Sequence, residues 1–398
     1  MRPAEDWVRA VRAVAPGRRL RVLNVCGGHE RTISLSGMRD VLPDTVELIP
    51  GPGCPVCVCP EEDIHLAIRI AAEPGVTLVA FGDMLRVPAN VPKGQPRSLE
   101  AARAAGADVV PIASPAEAWR LAETHPDRTI VFFAAGFETT MAPVAAAISQ
   151  GVPENLSLLI SGRRTWPVVK LLLGGGDVGF EALIAPGHVA TVMGSQEWRF
   201  VSADHGLPTA VAGFTAEHLL AALVEVLEQH ARQAPALANR YPEAVRPDGN
   251  PTGRTVLEQV FVIEDAPWRG IGVVPASGYT LRDSAHDARV RFAHLVQTDR
   301  KHAGAMPPGC RCADVVLGRT APTGCPLYGT ACTPSDPVGP CMVSDEGACH
   351  IWWASGKRRA AHPPSAATTA SSPRNMGSES PCSAPERTPS SETNPSER

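Results

Sequence analysis

The sequence predicts an α/β protein: two domains on parallel sheets, a small Cys-rich domain after them and a disordered C-terminal tail. Three observations carry this prediction. Short apolar runs alternate with amphipathic stretches over about 270 residues, the pattern of parallel strands joined by helices. From residue 290 the texture changes to Pro, Gly and Cys with little periodicity. Residues 355 to 398 are almost wholly Ser, Pro, Thr, Ala, Glu and Arg, with too little apolar surface to offset the entropy of ordering.

In chain order, residues 1–15 read as a helix closed by Pro16-Gly17. The first α/β domain spans residues 16–125. Its run RLRVLNV suits a strand buried on both faces and ends at Cys26. VELIP leads into the stretch GPGCPVCVCP, and EEDIHLAIRIAA follows as a helix whose acidic first turn complements its dipole. VTLVAF is a strand ending at Gly82-Asp83, and DVVPI is another, followed by the amphipathic PAEAWRLAETH. The second domain, residues 126–289, holds the strand candidates TIVFFAA, LSLLI, EALIA, TAVAGF and GIGVV and the helix AEHLLAALVEVLEQHARQ. The division near residue 125 rests on length, because one doubly wound sheet rarely runs so far. Residues 290–354 have so little periodicity that they need a cofactor to hold them together.

Composition narrows the function. A formal net charge of -4 leaves no electrostatic footprint for nucleic acid or for an anionic membrane surface. No segment has the run of about eighteen apolar residues that a membrane span needs, and the opening residues lack a secretory apolar region. The expectation is a soluble cytoplasmic chain whose partners are proteins or small ligands. Eleven cysteines in a reducing compartment favour metal binding or redox chemistry over a disulfide framework.

The cysteines fall into two groups. Cys26, Cys54, Cys57 and Cys59 lie early; Cys310, Cys312, Cys325, Cys332, Cys341 and Cys349 lie late; Cys382 stands alone in the tail. Unusual polar residues follow predicted strands: Cys26 and His29, the thiol stretch, Asp83, Glu138 and His188. Ligands of open α/β sheets bind at such carboxyl ends, although loops also collect polar residues without any function. Cys54-Pro-Val-Cys57 is a CxxC, able to close as a disulfide or to bind one metal. The start of the next helix would stabilise its thiolate form. The plain alternative is a pair of buried inert thiols. Gly51-Pro52-Gly53 argues against that, since a stiff turn is a costly way to fill a core. In CGGHE, Cys26 and His29 can ligate iron or zinc or form an activated nucleophile pair. The late cysteines are separated by one, twelve, six, eight and seven residues, without the paired spacing of zinc ribbons. Wide, uneven spacing suits an iron-sulfur cluster wrapped by loops. Six candidates exceed the four required. Cys325 and Cys332 are central to any scheme, the other choices stay open, and the two left over could form a redox pair beside the cluster.

The stretches CGGHERTI, ELIPGPGCPVCV, FGDMLRVP, VFFAAGFETT, IAPGHVATVMG, RYPEAVRPDGNP, WRGIGVVPASGYTLRD and CPLYGTACTPSDPVGPCMVSDEGAC closely resemble the HypD family of hydrogenase maturation factors. The resemblance implies a scaffold that works with the small chaperone HypC. It would hold a mononuclear iron while cyanide, from the partner HypE, and carbon monoxide are attached to make the Fe(CN)2CO group of [NiFe]-hydrogenase. The hydrogenase large subunit would be reached indirectly. The resemblance also implies that Cys26 shares the iron with a cysteine of HypC, with His29 beside it. Cys54 and Cys57 would match a redox pair that exchanges with a [4Fe-4S] centre in the late domain, and Asp83 and Glu138 would be cleft residues. The chain departs from the family pattern at Arg31, where many members carry a second histidine, at Gly213 to Ala216, where GFTA lacks an acid, at the extra Cys59, and at HIWW with the tail beyond it. Alternative readings are a stand-alone iron-sulfur thiol/disulfide oxidoreductase and a binding module with structural zinc.

Overall fold

The strands expected from the apolar runs form two sheets in a computed structural model that describes residues 3–175, 178–297, 300 and 303–357. In chain order they are β1 (Leu20–Asn24), β2 (Val46–Pro50), β3 (Val76–Phe81), β4 (Asp108–Ile112), β5 (Thr129–Gly136), β6 (Leu156–Arg163), β7 (Ala182–Pro186), β8 (Thr209–Ala212), β9 (Leu237–Asn239), β10 (Phe261–Trp268) and β11 (Gly272–Leu281). The first sheet has the order β2-β1-β7-β8-β9 and is parallel throughout. The second has the order β10-β11-β6-β5-β3-β4, parallel from β4 to β6 and antiparallel at β11 and β10. Strands β6 and β7 are buried along their whole length, as parallel strands covered on both faces should be.

The helices expected from periodicity are present. Ala4–Val14 opens the chain, Glu61–Ala71 carries Glu61, Glu62 and Asp63 in its first turn, and Ala216–Ala231 packs beside the first helix. Pro115–Thr124 starts at a reciprocal cap between Ser114 and Glu117. The reading had no strand at β9, three residues at the edge of the first sheet, nor at β10, which pairs with β11 at an edge. Its exposed Glu264 and Asp265 and its Pro267 hide the apolar alternation and also guard the edge against further pairing.

Two expected boundaries differ from the structure. The division at residue 125 falls inside the second sheet, because β3 pairs with β4 on one side and β5 on the other. The chain leaves the first sheet after β2, builds the second through β6, returns for β7 to β9 and closes the second with β10 and β11. Parallel neighbours are joined by long crossovers, so order along the chain does not reveal which strands share a sheet. The Cys-rich segment 290–354 is likewise no separate body. Val315, Val316, Leu317, Tyr328 and Met342 share one core with Leu23, Ile49 and Val131, and the described residues up to 357 lie in one compact unit. Polar ties reinforce the packing: Arg21 donates to the Gly318 carbonyl (2.8 Å) and Trp352 Nε1 to Glu30 Oε1 (2.7 Å). The helix Ala348–Ala354 ends the described chain, and residues 358–398 of the expected disordered tail lie outside the described residues. Among the described residues, no helix is long and apolar enough to cross a membrane.

Candidate functional site

β1 and β2 are adjacent and parallel, with Asn24 opposite Pro50, so the loops leaving them emerge side by side. The amide of Gly51 donates to the Asn24 carbonyl (2.8 Å) and that of Gly27 to the Gly53 carbonyl (3.0 Å). Gly53 is required here, since a Cβ at that position would lie 2.3 Å from Cys26 Cα. The GPG turn thus clamps the CxxC against Cys26. Cys54 caps the short helix Pro55–Val58, its sulfur accepts the Cys57 amide (3.2 Å), and the two cysteines are joined as a disulfide.

One small cavity is lined by Cys26, Cys54, Cys57, Glu30, Cys341 and Glu346 among others. Burial of its sulfur pushes the Cys26 thiol up to about 12; the amides of His29 and Gly28 pull the other way, and Glu346 adds to the rise. Glu346 is exposed as a residue, yet desolvation of its carboxyl, with Asp83 and Asp345 adding to it, raises it to about 7. Sequence reasoning missed Glu346 because the DEGAC stretch was read only for its cysteine. Asp83 is exposed and accepts a hydrogen bond from Ser344 Oγ (3.2 Å), which ties the loop after β3 to this same segment.

His29 is fully buried, with Nδ1 3.1 Å from Asn24 Oδ1 and Nε2 3.1 Å from the Ala212 carbonyl. Burial brings it down to about 3, with His188 and His218 adding to the fall against the Ala212 carbonyl, so the ring is neutral. Both nitrogens face oxygens and the neutral ring donates to one of them, so it braces the Cys26 loop against β8 rather than offering the free donor expected of it. Phe214 of the GFTA departure stacks on His188 (3.7 Å) and lies 4.9 Å from His29, while Thr215 caps the helix Ala216–Ala231. Arg31 is exposed.

Glu138 does not line the thiol cavity. It is fully buried and accepts from the Thr165 amide (2.7 Å) and hydroxyl (2.6 Å) at the start of the helix Thr165–Leu173. Burial raises its carboxyl above the usual range. The extra Cys59 is also set apart: it is buried against Ser161 Oγ (3.4 Å), and desolvation pushes its thiol up to about 12. A much larger cavity, about 690 Å³ with His65, Arg69, Asp108 and Arg128 in its wall, is lined by no cysteine.

All six late cysteines line a second small cavity, with Tyr328, Gly339 and Met342. Gly339 leaves room for sulfur, since a Cβ there would fall 2.4 Å from Cys310 Sγ. The neighbouring Cys310 draws the Cys325 thiol down to about 5, and Cys312 and Cys349 lower Cys341 in the same way. Backbone amides also face the sulfurs, Val338 toward Cys332 (3.4 Å) and Cys349 toward Cys341 (3.2 Å). Among the described residues, no three His, Cys, Asp or Glu side chains converge to hold a single metal ion. The six sulfurs instead line one common small space. Cys341 belongs to both cavities, so the two cysteine groups meet there.

Residues 3–356 match the model of the family described as HypD, hydrogenase formation hypA family. The chain is 38% identical over 357 residues to the hydrogenase maturation factor HypD of Azotobacter vinelandii, covering 87% of this chain and 92% of that protein. It is 37% identical over 370 residues to its namesake in Rhizobium leguminosarum bv. viciae, covering 89% and 94%. Against HypD of Escherichia coli K12 it is 37% identical over 342 residues, covering 84% and 89%.

Proposed function

The chain belongs to the HypD family of hydrogenase maturation factors, and from that premise we propose that it is a redox-active scaffold for the Fe(CN)2CO group of [NiFe]-hydrogenase. In this reading it works in the cytoplasm with a HypC-type small chaperone and a HypE-type cyanide donor. The observation that carries the reading is the cavity shared by Cys26, the Cys54–Cys57 disulfide and Cys341. It sets a candidate iron ligand, a two-electron switch and one wall of a soft-donor pocket side by side.

Iron is the cargo. Cys26 keeps its proton until a cation arrives, because its thiol is pushed up to about 12, and Glu346, at about 7, stands in the same cavity to take that proton. The disulfide stores an oxidation: opening it consumes two electrons and two protons and yields two thiols. Gly53 and the short helix Pro55–Val58 hold the disulfide against Cys26. The six late cysteines suit a [4Fe-4S] cluster in number and softness, and such a cluster, when bound, supplies electrons one at a time.

The closed disulfide also favours a second reading, a stand-alone thiol oxidoreductase. Anaerobic purification separates the two. The scaffold reading expects a small partner with an N-terminal cysteine to co-purify and the complex to show infrared bands of metal-bound cyanide and carbonyl. Disulfide reductase turnover by the isolated chain, with no such bands in the complex, would favour the oxidoreductase.

A further inference from the structure

Arg269 is 1% exposed, and among the described residues none of its Nε, Nη1 and Nη2 atoms has a hydrogen-bond partner. A buried charge is tolerated only when something compensates it. Its place is well defined. The Arg269 amide donates to the Val58 carbonyl (3.0 Å), between Cys57 and Cys59, and the Gly270 amide donates to the Gly304 carbonyl (3.1 Å). Gly270 lies against Met306 and Ala313, so the backbone at Arg269 runs where the thiol helix meets the segment carrying Cys310 and Cys312.

The groups whose negative charge would reach it are Glu61, Cys312, Cys59 and Cys310. Glu61 is already taken: Arg300 grips both of its oxygens and the Asn90 amide donates to it (2.6 Å). Cys59 holds its proton to about 12 and brings no charge. What remains is the six-cysteine pocket, of which Cys312 and Cys310 lie within reach of the guanidinium's charge.

We propose that Arg269 is the charge partner of a thiolate-bound iron-sulfur cluster in the six-cysteine pocket, and that its cation favours the cluster's reduced state. The proposal rests on the reading of that pocket as the cluster site. Each electron added makes the thiolate-bound cluster more negative by one unit, so a nearby buried cation stabilises the reduced form more than the oxidised one. Arg269 acts on the cluster through space and is a positioning residue, not a ligand.

The test is an anaerobic reductive titration of the full chain, followed by visible absorption and electron paramagnetic resonance, for wild type, Arg269→Gln and Arg269→Lys, each with iron and sulfide assayed. We expect Arg269→Gln to lower the reduced-to-oxidised ratio at a fixed potential by about tenfold, about 59 mV more negative for one electron. Arg269→Lys should stay close to wild type. Loss of the cluster from Arg269→Gln alone, with Arg269→Lys loaded, would also support the proposal, since charge is then what retains the cluster. An unchanged midpoint in Arg269→Gln would overturn it. So would equal shifts, or equal cluster loss, in both variants, which would make the role one of shape. Wild-type protein without iron or sulfide would instead defeat the cluster reading itself.

Discussion

Cys26→Ala removes the sulfur at the wall of the shared cavity and leaves the six late cysteines in place. Hydrogenase maturation should therefore be lost while the visible spectrum of the anaerobic protein persists; retained maturation would remove Cys26 from the account. Cys59 gives a prediction in pH. Its folded thiol is raised to about 12 from an ordinary 9.0, so the stabilisation from burying it neutral is complete below pH 9 and is lost as pH climbs toward 12. Each such thiol should cost at most about 1.4 kcal/mol per pH unit in that window. Thermal melts from pH 8 upward should fall less steeply in Cys59→Ala than in wild type, and parallel curves would contradict this. At this scale the sequence showed the thiols clearly, because cysteine is rare and its spacing is visible. It could not show that His29 lies against the Ala212 carbonyl or that Glu138 serves Thr165, since those facts depend on partners distant in the chain.

Among elements, the helix Ala348–Ala354 is pinned to the helix Gly27–Leu35 by one buried carboxylate. Glu30 accepts from Arg39 (2.8 Å), from Ser34 Oγ (3.2 Å) and from Trp352 Nε1 (2.7 Å), and the Arg39 guanidinium lies 5.1 Å from the Trp352 ring centre. HIWW, a departure in the sequence, thus has a packing role. Glu30→Ala strands a partly buried guanidinium and an indole donor, a change worth about 3–5 kcal/mol where buried pairs are broken. Denaturant unfolding should show the midpoint fall, and hydrogen exchange should rise in residues 348–354 first; unaltered exchange there would refute the pin. Gly53→Ala makes a matching test at the GPG turn. Its Cβ would meet backbone 2.3 Å away, so stability should drop by about 1–3 kcal/mol, as overpacked cores do. Most strands were legible as apolar runs. β10 was not, because an edge strand carries its acids outward.

For the whole molecule, the interleaved sheets explain how distant cysteines meet. β1 and β2 bring Cys26 and the CxxC together at one end of the first sheet, and the Cys-rich segment packs over both in a common core. Sequence could not reveal this interleaving, because parallel crossovers leave the pairing of strands open. A consequence is that the late segment is coupled to the rest. If the proposed cluster occupies the late cysteines, Cys325→Ala should bleach the visible absorption and also lower the thermal midpoint of the entire unit, since cofactor binding there would be folding free energy. A coloured variant with wild-type melting would count against that coupling. The most direct test of the two iron sites we propose, meeting at Cys341, is Mössbauer spectroscopy of the chain purified anaerobically with its proposed chaperone and labelled with the Mössbauer-active isotope. The account predicts a cluster signal and a separate low-spin mononuclear signal, the second alone vanishing in Cys26→Ala. Simultaneous loss of both signals in that variant, or survival of both, would contradict it.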